Sequence, residues 1–263
     1  LAIQAESGLM SITGPIEGPP CKVGVAVVDL LTGLYAATGI LACLRARDQS
    51  GHGYAVDLAL LDCAVATQVN VAQAYLLTHQ VPPRQGNAHL QISPYAVFSA
   101  ADGWLTLNVG NDGQWQHFCT AAEATDLGND PRFTTNPLRV RHKAELFPLL
   151  EAVFKKHTVA EWNARLTKAK VPHAPIQTYA DVFRNPQVLA RGMKVTVHDP
   201  AGKPVDLIGS PFHFTGAEVT PPQMPPQLGA DTDAVLKELL GADAARLAEW
   251  RTAGAMVSRI ASP

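Results

Sequence analysis

The sequence predicts an α/β fold, and three observations carry that prediction. The apolar, β-branched stretch "VGVAVVD" runs straight into the helical pattern "LLTGLYAATGILACLRARD". "YAVDLALLD" does the same, as a strand entering a second long helix through "CAVATQVNVAQAYLLTHQ". Further on, "YAVFSAADGWLTLNVG" reads as a hairpin turning at Asp102-Gly103, followed by amphipathic helices.

The elements follow in order. Residues 1–12 read as a short helix or strand end before "TGPIEGPP", a Gly/Pro turn cluster. The helix after "VGVAVVD" is apolar nearly all round, so it is expected inside the protein, with Arg45 and Arg47 at its C-terminal end, where the dipole favours cations. "SGHG" breaks the chain, and the second helix carries Asp62 near its start. "VPPRQGNAHLQISPY" is a loop rich in turn formers. The hairpin and the helices "DGQWQHFCTAAE", "NPLRVRHKAELFPLLEAVFKKH" and "TVAEWNARLTKAK" are expected to make a small α/β domain over residues 93–178 with its own core. Thr158 and Glu161 have capping-box spacing. Then come a loop and a helix in "VPHAPIQTYADVFRNPQVLARGM", and two or three strands about an Asp-Pro-Ala-Gly turn. A proline-rich linker leads to a last helix, "TDAVLKELL", closed by Gly241.

Composition narrows the function. With 263 residues, 47% hydrophobic and 17% charged, the chain can bury a sizeable core. A net charge of −2 and the lack of a basic stripe argue against nucleic acid, leaving a small molecule or another chain as partner. Cys21, Cys43, Cys63 and Cys119 lie far apart with no C-x-x-C pair, which points to free thiols in a reducing, cytoplasmic compartment and no zinc site. The run from Val23 to Leu44 is long enough to span a membrane, but Asp29 interrupts it and Gly24, Gly33 and Gly39 punctuate it, so a buried strand and helix are expected, and no membrane. The first residue is Leu1 and the chain opens on helix-like sequence, so a missing upstream portion is expected.

No phosphate-cradling glycine loop, H-E-x-x-H or G-x-S-x-G motif is present, no metal ligand set is expected, and the nine histidines are scattered. The candidate that remains is Asp29, one carboxylate in an apolar run, where an uncompensated charge is costly. It falls at or near the N-cap of the expected helix, where free N–H groups and the dipole make the charge tolerable. An Asp at a helix start most often does only that, and Asp57 and Asp62 read the same way.

The order of features resembles the class III coenzyme A transferases, the CaiB/BaiF group. The resemblance runs through "IQAESGLMSITGPIEGPPCKVGVAVVDLLTGLYAATGILACLRARDQSGHGYAVDLALLD", "GNAHLQISPYAVFSAADGWLTLNVGNDGQWQHFC", "TNPLRVRHKAEL", "VPHAPIQTYADVFRNPQVLARGM" and "PPQLGADTDAVLKELLG". It implies that residues 1–92 are the C-terminal part of a Rossmann-like large domain, that 93–178 are the small α/β domain, and that 179–263 are linker strands and a helix returning to the large domain. It also implies an interlocked homodimer. Members run longer, with an N-terminal portion that carries most CoA contacts.

By the same resemblance Asp29 matches the catalytic aspartate. That residue attacks an acyl-CoA to form a mixed anhydride, and CoA thiolate then converts it to an aspartyl-CoA thioester before a carboxylate acceptor reverses the cycle. CoA thioester is thus substrate, with no permanently bound cofactor. "RQGNAHLQISPY" aligns with a glycine-rich gating loop, here altered to Ala88-His89-Leu90-Gln91. His89 and Gln91 are candidates to bind an acceptor carboxylate and Asn87 to hold the loop, against the plainer reading of a structural turn. "GADTD" departs from the family's Gly-Glu-His-Thr, leaving Asp231 only a helix-capping role. "SGLMSITG" and "AVVDLLTGLYA" are most similar to the dicarboxylate branch. Two other readings stay open: an α-methylacyl-CoA racemase, in which the matching Asp pairs with a His for proton transfer, and an inactive fragment that folds only with a complementary N-terminal chain.

Overall fold

The structure is a computed structural model that describes residues 1–256. The chain divides into two compact units, Leu1–Ile176 and Gln177–Pro263. The first unit opens with short helices α1 (Ala2–Glu6) and α2 (Leu9–Ile12), then the 24-residue α3 (Val27–Ser50), α4 (Leu60–Ala66) and α5 (Val69–Thr78). It continues with β1 (Tyr95–Ser99), β2 (Trp104–Asn108), α6 (Asp112–Ala121), α7 (Thr125–Asn129), α8 (Asn136–Arg141), α9 (Lys143–Phe154), α10 (Val159–Lys168) and β3 (His173–Pro175).

The core of this unit lies between its sheet and its later helices. β1 and β2 pair antiparallel with Val97 opposite Thr106, and β3 joins the far edge of β2 with Ala174 opposite Thr106. Alternation sends Ala96, Phe98, Leu105 and Leu107 inward. They meet Trp115 and Phe118 from α6, Leu146, Leu150 and Phe154 from α9, and Trp162 and Leu166 from α10. Phe154 stacks on Phe98 at 4.8 Å and lies 4.8 Å from Trp162, whose indole N–H donates to the Phe154 carbonyl at 2.7 Å. The capping box read from Thr158 and Glu161 forms, and Gly241 takes the left-handed conformation at a helix end.

The first ninety residues depart from expectation. Neither "VGVA" nor "YAVDLA" is a strand: both are extended or bent backbone without a ladder partner among the described residues, and Val27 and Val28 already belong to α3. A β-branched apolar run suits either state, and strand requires a neighbour to pair with. The long second helix is broken at Thr67 and Gln68, whose side chains bond the Ala64 carbonyl at 2.9 and 3.2 Å, the Gln68 amide also reaching the Ser7 carbonyl at 2.7 Å. Most consequential, α3 is not internal. Only Val28 is buried, while Leu30, Leu34, Tyr35, Ile40, Leu41 and Leu44 are exposed. By length and composition alone, α3 could cross a membrane. Its apolar circumference predicted burial, but within this chain α4 is the main element packed against it.

The second unit holds α11 (Tyr179–Val182), α12 (Pro186–Ala190), β4 (Lys194–His198), β5 (Pro204–Ile208), α13 (Thr232–Leu240) and α14 (Ala244–Thr252). β4 and β5 form a hairpin with Val197 opposite Val205, turning through Asp199–Gly202. Asp231 stands at the N-cap of α13 but its side chain makes no capping bond, and α13 is followed by α14, which Asp243 does cap through the Arg246 N–H at 2.8 Å. The third strand of the first unit, His173–Pro175, lies where the sequence reads as a loop.

Candidate active site

Asp29 is the third residue of α3, in the first turn and near the N-cap as expected. The N-cap is Ala26, which has no side chain to cap with, and the Asp29 carboxylate accepts no hydrogen bond and joins no ion pair among the described residues. The Val27 N–H donates to the Val25 carbonyl at 2.8 Å and the Leu30 N–H to Ala26 at 3.1 Å. Between them, the N–H groups of Val28 and Asp29 have no partner among the described residues. The helix therefore presents an unused carboxylate beside two unused donors at its positive end. Asp29 is exposed, not set in an apolar wall, and it lines a cavity of about 400 Å³ with Gln4, Lys22, Gly24, Val28 and Leu60.

The loop from Gln85 to Tyr95 makes a second wall elsewhere in the same unit. His89 and Gln91 line a cavity of about 590 Å³ with Tyr75, Gln80 and Gln85, and Asp29 is not among its lining residues. His89 Nδ1 accepts from the Gln91 and Ile92 N–H groups at 3.0 and 3.2 Å, so the neutral ring carries its proton on Nε2, which has no partner among the described residues. Among the described residues the Gln91 side chain is likewise unbonded, and Asn87 is exposed with no side-chain hydrogen bond. Other residues hold the loop. Lys143 Nζ donates to Gln85 Oε1 and to the His89 carbonyl, both at 3.2 Å, and burial pushes its pKa down. Asn136 bonds the Gln91 carbonyl and the Ser93 N–H, each at 3.0 Å. Arg139, fully buried, donates to the carbonyls of Ser93 at 2.7 Å and Phe133 at 3.0 Å, and to Asp112 at 2.8 Å.

The sequence profile described as "CoA-transferase family III" matches residues 1–232. The chain belongs to that family. It is 38% identical over 242 residues to a succinate–glutarate CoA-transferase of Agrobacterium fabrum, covering 90% of this chain and 59% of the relative. A succinyl-CoA:glutarate CoA-transferase of Mus musculus is 36% identical over 239 residues, covering 91% and 55%. The crystal structure of a CaiB/BaiF family protein from Brucella suis superposes with a TM-score of 0.78 at 39% identity, covering 90% and 61%. The mixed helix-and-sheet architecture is thus the CaiB/BaiF fold. The chain spans between 55% and 61% of the length of these relatives.

Within this family III chain, the expected site residues fall into two groups that the structure keeps in separate cavities: Asp29 in one, His89 and Gln91 in the other. The residues that sequence reasoning passed over are Gln4 in the first cavity and Asn136, Arg139 and Lys143 behind the loop. The last three lie in "NPLRVRHK", where two basic residues on a helix look like an exposed face. Among the described residues no group of three or more His, Cys, Asp or Glu side chains is placed to hold a metal ion.

Proposed function

We propose that the protein is an acyl-CoA transferase that moves CoA from a dicarboxylyl-CoA such as succinyl-CoA to a carboxylic acid, with Asp29 as the covalent nucleophile. The observation that carries this reading is the unbonded Asp29 carboxylate beside two open N–H groups, in a chain of family III. An Asp29 oxygen bonds to the thioester carbon, and the C–S bond breaks to release CoA thiolate, leaving a mixed anhydride. The thiolate attacks Cγ of Asp29, expels the donor carboxylate, and leaves an aspartyl-CoA thioester. An acceptor carboxylate then displaces CoA from Asp29, and the thiolate takes the acceptor's acyl group, restoring the Asp29 carboxylate. The Val28 and Asp29 N–H groups are suited to the oxygen that gains charge at each attack.

Names of relatives that act on succinate and glutarate support a dicarboxylic acceptor. The free Nε2–H of His89 and the free amide of Gln91 suit its second carboxylate. Anhydrides need shelter from water, and the exposed apolar side chains of α3 around Asp29 support a second chain covering that helix in an interlocked homodimer. Four unpaired cysteines support a cytoplasmic setting.

The test is to mix the full-length protein with succinyl-CoA and no acceptor, quench with hydroxylamine, and map the tryptic peptide Val23–Arg45 by mass spectrometry. A hydroxamate on Asp29 is the expected result. An unmodified peptide from protein that binds succinyl-CoA would overturn the covalent mechanism, and deuterium uptake at the α-carbon would then identify proton-transfer chemistry.

A further inference from the structure

Gln4 stands in the Asp29 cavity with half of its amide unused. The residue is only 5% exposed, and its Oε1 accepts the Val23 N–H at 2.9 Å, which ties α1 to the segment that leads into α3. A backbone N–H can only donate, so this bond fixes the amide's orientation: oxygen toward Val23, nitrogen away from it. Nε2 has no hydrogen-bond partner among the described residues. Nε2 is not one of the sealed unbonded polar atoms of the described residues, which are Ser93 Oγ and Trp115 Nε1, so it keeps contact with solvent and is free to meet a ligand. The cavity it shares with Lys22, Gly24, Val28 and Asp29, about 400 Å³, has room for an acyl group on the Asp29 carboxylate.

We infer that Gln4 is a catalytic residue whose Nε2–H donates to the carbonyl oxygen of the acyl group that reacts at Asp29. The inference rests on Asp29 being the nucleophile. As the Asp29 oxygen bonds to the thioester carbon, the carbonyl π electrons move onto oxygen. Nε2–H stabilises that oxyanion without giving up its proton, and collapse restores the carbonyl as CoA thiolate leaves. The side chain suits this because its own oxygen is already spent on Val23, so the nitrogen is held in place before substrate arrives and need not reorganise. The competing account makes Gln4 only a staple between α1 and the entry to α3.

Two variants of the full-length protein separate these accounts. Gln4→Glu keeps an oxygen for Val23 but replaces the donor with an acceptor, and Gln4→Met removes both functions without adding charge. The readouts are the rate of Asp29 hydroxamate formation from succinyl-CoA, the KM for succinyl-CoA, and the melting temperature. The inference expects both variants to form adduct at least about 100-fold more slowly, with KM within threefold of wild type, and Gln4→Glu to melt as wild type does. Rates within threefold of wild type per folded molecule in either variant, whatever the melting temperature, overturn it and leave the Asp29 mechanism standing. A wild-type protein that forms no Asp29 adduct overturns both.

Discussion

The contrast between Asp29 and Arg139 shows how differently two charged side chains are used. Asp29 touches no partner, so Asp29→Asn should shift unfolding free energy by less than about 0.5 kcal/mol while abolishing transfer, measured by denaturant melts beside a CoA-transfer assay. Arg139 is sealed in, its guanidinium 5.3 Å from the Trp115 ring and bonded to two backbone carbonyls and Asp112. Arg139→Met should cost about 3 kcal/mol or more, because buried carbonyls lose their donors, and Arg139→Lys should not recover it, since one ammonium cannot reproduce the fork. Cys119 adds a pH signature. Burial, opposed by nearby Arg139, pushes its thiol up to about 12, against an ordinary value of 9.0. A raised folded pKa contributes stability that is complete below pH 9 and lost as pH climbs toward 12. Cys119→Ala should flatten that alkaline decline in a series of melts between pH 8 and 11, and Cys119 should resist alkylation in the native state while exposed Cys21 reacts.

At the level of elements, what was legible in the sequence was what local chemistry decides. The Thr158–Glu161 box binds its own helix end, with the Glu161 N–H donating to Thr158 Oγ1 at 3.3 Å and the Thr158 N–H to Glu161 at 2.8 Å. Thr158→Ala should therefore cost about 1 kcal/mol, read from the unfolding midpoint. The Asp102-Gly103 turn and the Gly241 stop belong to the same class. The run before α3 read as strand or extended segment and the run before α4 as strand; both are unpaired, because pairing is decided by a neighbour the run itself does not encode. Asp29 stands out in the sequence as the one carboxylate of an apolar run at a helix start, and it lies in the first turn of α3. Gln4, Asn136 and Lys143 escaped notice because each acts through a bond to residues 19 to 58 positions away. Gly209 is a further case: a Cβ there would collide with the Gly192 backbone at the base of the β4–β5 hairpin. Nothing in "DLIGSP" announces that approach.

For the whole molecule, the decisive fact is the bare face of α3. Leu34 and Leu41 are 60% and 66% exposed, and Leu61, Val65, Tyr75, Leu76 and Leu77 extend the exposed apolar residues through α4 and α5. Patches of this kind mark association surfaces. Residues 1–263 expressed alone should bind a hydrophobic dye strongly and self-associate in sedimentation velocity, and Leu34→Lys with Leu41→Lys should suppress both. If the double variant associates as strongly as the parent, α3 is not the face involved. The same apolar circumference that read as internal is what this chain leaves exposed on α3.

The Gln85–Tyr95 loop is held largely by its backbone: its carbonyls at His89, Gln91 and Ser93, and its Ser93 amide, take the bonds from Lys143, Asn136 and Arg139. A segment fastened in this way can exchange the side chains at Asn87, Leu90 and Gln91 without coming loose, since none of them holds it. If this loop binds the acceptor, as proposed above, acceptor preference can drift through single substitutions on an unchanged frame, and a library confined to those three positions is the economical place to redirect it.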